Sequence, residues 1–171
     1  TLTLDSETGA YTYTKNDAAI EALDDGEVMN DTFTITATDD VGLTATNTYT
    51  VTVTGADDQP TIAAVTNGTV QDATDDSVLG ATGDLSGTLN GADVDVEGLT
   101  YGIVGGTPGI GDLIELTGGY GTLQVDSNTG AYTYTPDAGV VDSVALGETP
   151  DDVFTVTVDD GDDALVTTTY T

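Results

Sequence analysis

Residues 43–54, LTATNTYTVTVT, set threonine at every second position. A period of two puts Leu43, Ala45, Tyr49, Val51 and Val53 on one face and Thr44, Thr46, Thr48, Thr50, Thr52 and Thr54 on the other. That is a half-buried β-strand, with β-branched threonine covering its wet side. Residues 32–38 alternate in the same way, with Phe33, Ile35 and Ala37 on one face, and the turn at 39–42 joins the two runs. Residues 1–14 read as a hairpin around D-S-E-T-G, with Gly9 available for positive φ and Leu2, Leu4, Tyr11 and Tyr13 facing inward. The stretch 15–30 is too brief for more than a helical turn or two and is expected to be a crossover loop.

The opening of the chain returns near its end. Sliding residues 1–50 onto 122–171, an offset of 121, matches 22 of 50 positions without a gap. The matches include D-S-x-T-G-A-Y-T-Y-T, Gly26/Gly147, Glu27/Glu148, Phe33/Phe154 and Tyr49/Tyr170. A period of this length marks tandem modules. The expected organisation is 1–55 as the C-terminal part of one repeat, 56–60 as an acidic linker, and 61–171 as a second repeat lacking its last strand. Both ends read as cuts in a longer polypeptide. Either the array simply continues, or neighbouring copies complete each other by strand addition.

Between the two copies, strand candidates lie at 62–65, 68–71, 85–89 and 99–104, with a glycine-rich turn at 105–112. The acids of this stretch are Asp72, Asp75, Asp76, Asp84 and the segment A-D-V-D-V-E-G at 92–98.

Charge narrows the partners. There are 31 acidic residues against a single Lys, with no Arg or His, for a net charge of −30. Binding nucleic acid or an anionic membrane starts with basic side chains meeting phosphate, so both are excluded as direct partners. Soluble cations remain. The chain has no Cys, so metal bridging is the remaining crosslink, and no apolar run approaches the roughly 20 residues that span a bilayer.

Residues 54–60, T-G-A-D-D-Q-P, mark the joint: Gly55 frees the backbone, Pro60 stiffens the exit, and Asp57 and Asp58 set two carboxylates side by side. Asp93, Asp95 and Glu97, followed by Gly98, copy the first six positions of an EF-hand loop. The copy then fails, because the twelfth position is Val104. The segment needs further oxygens, and Asp57 and Asp58 are the expected donors for a Ca2+ shell of 6 to 8. Asp39 and Asp40, and the run from Asp159 and Asp160 to Asp163, either add ligands there, bind a separate ion, or are polar hairpin turns. Asp5 and Asp126 are expected to cap their turns.

Tyr120 to Thr135, Y-G-T-L-x-x-D-x-x-T-G-A-Y-T-Y-T, the D-x-F-T-V/I-T strands beginning at Asp31 and Asp152, the ending T-V-T-V-T-G-A-D-D-Q-P-T and D-V-D-V-E-G-L-T-Y at 93–101 together resemble VCBS-type repeats. These are cadherin-like, immunoglobulin-like tandem modules of RTX-class bacterial surface adhesins. The resemblance covers essentially the whole chain. It implies a Greek-key β-sandwich, type I export to the extracellular bacterial surface, and a spacer role in a long adhesive fibre. The usual linker reads G-x-N-D-x-P. Here Asp57 replaces the amide, which adds ligand charge.

Catalysis has little to work with. Without His or Cys there is no nucleophilic triad or thiol chemistry, and Lys15 is replaced by Pro136 in the second copy. Paired carboxylates alone would suit glycoside hydrolysis, but no Trp is present to form a sugar platform. The expectation is a non-enzymatic calcium-binding spacer repeat, with neighbouring repeats as partners. The alternatives are a strand-complemented filament subunit or a module that binds a glycan or another chain.

Overall fold

The computed structural model describes residues 1–72, 80–81, 85–95, 98–162 and 165–171. It is an all-β protein of antiparallel sheets with two short helices among the described residues, and it divides into two compact units. The first comprises Thr1–Asp58 with Val94–Val96, and the second Gln59–Asp93 with Glu97–Thr171. One cut, between Asp58 and Gln59, lies within 56–60, and the other two set Val94–Val96 with the first unit.

The first unit holds β1 (Leu2–Leu4), β2 (Tyr11–Tyr13), α1 (Asp17–Glu21), β3 (Val28–Thr38) and β4 (Thr44–Thr54). β1 pairs with β2 in the register Leu2↔Tyr13 and Leu4↔Tyr11, and β3 pairs with β4 along its whole length, from Val28↔Thr54 to Thr38↔Thr44. β3 begins four residues before the expected strand, because the ladder continues past the last alternating residue. The two hairpins meet through aromatic rings: Tyr11 and Tyr49 at 5.0 Å between centroids, Tyr13 and Phe33 at 6.0 Å. The inward positions expected from the pattern do share a face, yet Tyr11 is 50 % exposed and Leu4 42 %. Among the described residues, Leu23 is this unit's one buried hydrophobic side chain.

Gly55 closes this unit rather than loosening it. Its N–H donates to Glu27 O at 2.9 Å, and a side chain there would run into the backbone carbonyls of Leu23 and Asp24. The glycine is required by close approach of backbone, not by hinge freedom.

The second unit holds β5 (Thr61–Ile62), β6 (Val70–Gln71), β7 (Gly80–Ala81), β8 (Ser86–Thr88), β9 (Gly91–Ala92), β10 (Thr100–Ile103), β11 (Thr107–Pro108), β12 (Leu113–Thr117), β13 (Gly121–Asp126), β14 (Ala131–Pro136), α2 (Ala138–Val141), β15 (Phe154–Asp159) and β16 (Val166–Tyr170). One sheet runs β10-β15-β16 and another β11-β12-β13-β14-β8. Their inner faces share one core: Ile103, Leu123, Val125, Tyr132, Tyr134, Phe154, Val156 and Tyr170, with Leu89. β13 and β14 bury alternate residues, as period-two patterning requires. β12, L-I-E-L-T, escapes a search for alternation because Leu113, Ile114 and Leu116 are all half-buried.

Pair by pair, the second unit repeats the first. Leu123 faces Tyr134 as Leu2 faces Tyr13, and Phe154 faces Tyr170 as Phe33 faces Tyr49. The ring pairs Tyr132–Tyr170 and Tyr134–Phe154 lie at 5.3 and 5.9 Å. Only the surroundings differ, since here these side chains are buried.

Candidate functional site

In the first unit, Asp58 N donates to Asp95 Oδ2 at 2.7 Å. Asp95 is 4 % exposed, and its Oδ1 and Asp57 Oδ1 are both removed from solvent. Pro60, the last residue of the 54–60 stretch, is also buried. A buried carboxylate carries a large desolvation cost unless a cation or strong donors offset it. This chain has one basic side chain to offer, and Lys15 Nζ sits on Asp17 Oδ1 at 2.7 Å, with both residues exposed.

In the second unit, Asp93 follows β9 and Asp160 follows β15. Asp93 Oδ2 and Asp160 Oδ2 are buried, while Asp160 Oδ1 accepts from Asp162 N at 3.0 Å. Asp159 Oδ1 accepts from Gly161 N at 3.1 Å. Glu97 and Asp163 lie outside the described residues, as do Asp75, Asp76 and Asp84.

Asp39 serves a turn: its Oδ1 accepts from Val41 N at 3.0 Å and Leu43 N at 2.8 Å, and the neighbouring Asp40 is exposed. Asp5 and Asp126 do the same work in the D-S-x-T-G hairpins. Asp5 Oδ1 accepts from Glu7 N and Thr8 N at 2.9 and 3.0 Å, and Asp126 Oδ1 from Asn128 N and Thr129 N at 3.0 and 2.9 Å. The N–H of Thr8 first, then that of Glu7, holds the Asp5 carboxyl below its ordinary range. For Asp126 the Thr129 N–H leads, followed by its hydroxyl. Gly9 and Gly130 complete these turns at φ of 74° and 68°.

Among the described residues, no group of three or more Asp or Glu side chains is disposed to hold a metal ion. Asp57, Asp58 and Asp95 carry oxygen donors of the kind hard cations such as Ca2+ take, but they do not form such a group.

One carboxylate unforeseen from sequence is Asp152. It accepts from Gly119 N at 2.6 Å, Tyr120 N at 2.9 Å and Tyr134 Oη at 2.8 Å. Gly118 and Gly119 are glycines for its sake, because a Cβ at Gly118 would lie 2.6 Å from the carboxylate. Burial, then the Asp152 bond, drives the Tyr134 phenol well above its ordinary pKa. The signal was present: Tyr13 Oη donates to Asp31 Oδ2 at 2.6 Å, so both copies keep a Tyr and an Asp 18 positions apart.

A cavity of about 600 Å³ opens in the second unit, with Tyr120, Tyr134, Phe154, Tyr170, Leu85 and Asp152 among its walls. Compared with protein-family models and with curated proteins, the chain shows no match.

Proposed function

We propose that this chain is a non-enzymatic, calcium-binding structural repeat of a large extracellular adhesin or surface fibre, built of cadherin-like Greek-key sandwiches at a period of 121 residues and acting as a spacer. The observation that supports the reading is the bond from Asp58 N to Asp95 Oδ2, which brings a buried carboxylate to the linker backbone in a chain with a single lysine. Asp57, Asp58 and Asp95 are the proposed ligands, and Asp93 and Glu97, which flank Asp95 in sequence, are the next candidates. Calcium there would cancel the carboxylate field and stiffen the linker, whereas without it like charges repel and the linker bends. The resemblance to VCBS-type repeats supports the same reading.

The test is small-angle scattering and thermal unfolding of the chain in millimolar calcium and in chelator. Calcium should lengthen and straighten the particle and raise Tm. If both quantities ignore calcium, the linker is not a metal site.

A second reading, recognition of a glycan, has the cavity beside Tyr120 in its favour, since an aromatic wall with nearby carboxylates is the chemistry of a sugar subsite. Glycan-array binding lost in Tyr120→Ala would support it, and an array without hits would end it.

A further inference from the structure

β1, β2, β3 and β4 reproduce the register and ring pairing of β13, β14, β15 and β16, yet they stand in different company. β13 is also paired with β12, β14 with β8, and β15 with β10. Among the described residues, β1 pairs only with β2, and β3 only with β4. The same aromatic and aliphatic positions are therefore buried in one copy and open in the other: Tyr132 is 5 % exposed, Tyr11 50 %. Asp31 tells the same story. Its counterpart Asp152 accepts from Tyr134 and from the backbone of Gly119 and Tyr120, whereas Asp31 is exposed and accepts from Tyr13.

We infer that the first unit is an acceptor for a polypeptide segment built like residues 98–120 of this chain, which adds one strand to the edge of β1 and another to the edge of β3. The second unit supplies the register. Subtracting 121 from the observed pairs, the incoming equivalents of Thr100 and Ile103 pair with Thr38 and Ile35, and those of Ile114 and Leu116 pair with Leu4 and Leu2. The equivalents of Gly119 and Tyr120 then donate to Asp31. The incoming strands cover the apolar face as β10 and β12 cover the core of the second unit.

Two observations select this occupant over a second copy of the whole chain. In a second copy the segment 98–120 is already engaged with β13 and β15, and releasing it would uncover that copy's own core. The segment is also nearly uncharged, since its acids are Asp112 and Glu115 alone in a chain carrying 31. It can therefore approach the acidic unit with little repulsion. Strand acceptance needs no calcium, so it stands or falls apart from the metal reading.

The chain has no cysteine, which makes a disulfide test clean. A synthetic peptide of residues 98–120 carrying Ile114→Cys is mixed with the full chain carrying Leu4→Cys under mild oxidation in chelator. Paired antiparallel residues sit about 4.5–5.5 Å apart at Cα, within disulfide reach. A peptide carrying Glu115→Cys instead tests the slipped register, which points side chains to the opposite face. The expected result is a one-to-one adduct forming at least about tenfold faster with the Ile114→Cys peptide. Wild-type peptide should also protect the β1 and β3 amides from hydrogen exchange. Equal rates for the two peptides, or no adduct and no protection, overturn the inference. Dimers of the chain alone in sedimentation, with Leu4→Cys chains crosslinking each other, overturn the choice of occupant.

Discussion

The Tyr134 hydroxyl donates to Asp152 Oδ2 at 2.8 Å, and this contact fastens β14 to the residue two places before β15. The same carboxylate holds the Gly119–Tyr120 backbone, so one acid ties three segments of the second unit together.

Burial favours the neutral phenol, so Tyr134 keeps its proton in the folded protein above the ordinary value of about 10. The unfolded chain loses that proton first. Between about pH 10 and the folded value, the native state binds more protons and stability falls as pH rises; below about pH 10 the contribution is complete. Tyr134→Phe should cost about 1–2 kcal/mol in denaturant unfolding at neutral pH and flatten the alkaline loss. An unchanged alkaline limb would assign that loss to other groups.

Repeat-equivalent truncations should have unequal costs. Leu123 is fully buried, so Leu123→Ala is expected to cost about 2–5 kcal/mol through lost contacts and a residual cavity. Leu2 occupies the matching register position but is only half-buried, and Leu2→Ala should cost about 1 kcal/mol or less. Hydrogen exchange of the β13 and β1 amides reads each unit separately.

Gly55→Ala drives a methyl group into the Leu23 and Asp24 carbonyls. Backbone cannot rotate away as a side chain can, so a loss of about 1–3 kcal/mol is expected, localised by hydrogen exchange to β4 and the α1 region. A silent substitution would show that Gly55 serves flexibility after all.

If calcium binds at the linker acids, saturation at a hundred times Kd adds about 2.7 kcal/mol to stability. Asp95→Ala should remove most of that increment, and Asp126→Ala, whose carboxylate is committed to Asn128 and Thr129, should leave it intact. Equal losses would count against the ligand assignment. At low pH the Asp126 turn should hold until pH falls through its lowered pKa, since a depressed carboxyl contributes above the ordinary value and loses that contribution only as it protonates.

What was legible in the sequence was local. D-S-x-T-G yielded its hairpins because an Asp carboxylate bonding two and three residues ahead needs no distant partner. The alternating strands β4, β13 and β14 were readable for a similar reason, as side-chain period reports a single wet face. β12 was hidden because both its faces are half-buried, and the start of β3 because only the partner strand extends it. Acid spacing suggested Asp57, Asp58 and Asp95 as common ligands of one ion, not the backbone bond from Asp58 N to Asp95 Oδ2 that the structure shows. The roles of Asp152 and Gly118 were not legible either, since, like that bond, they depend on residues more than thirty positions apart. Nor could pattern alone reveal that Leu4 and Tyr11 remain in water, because alternation names a face without saying what lies on it.

The long ladder of β3 and β4 has its open mouth at Val28 and Thr54, with the Gly55 N to Glu27 O bond just outside. Tension transmitted along the backbone enters and leaves the hairpin at that mouth, perpendicular to the strands. The ribbon is thus loaded as a zipper, rung after rung, rather than in shear. It would yield at low force and pay out length gradually, with the Gly55 bond as the first catch to let go.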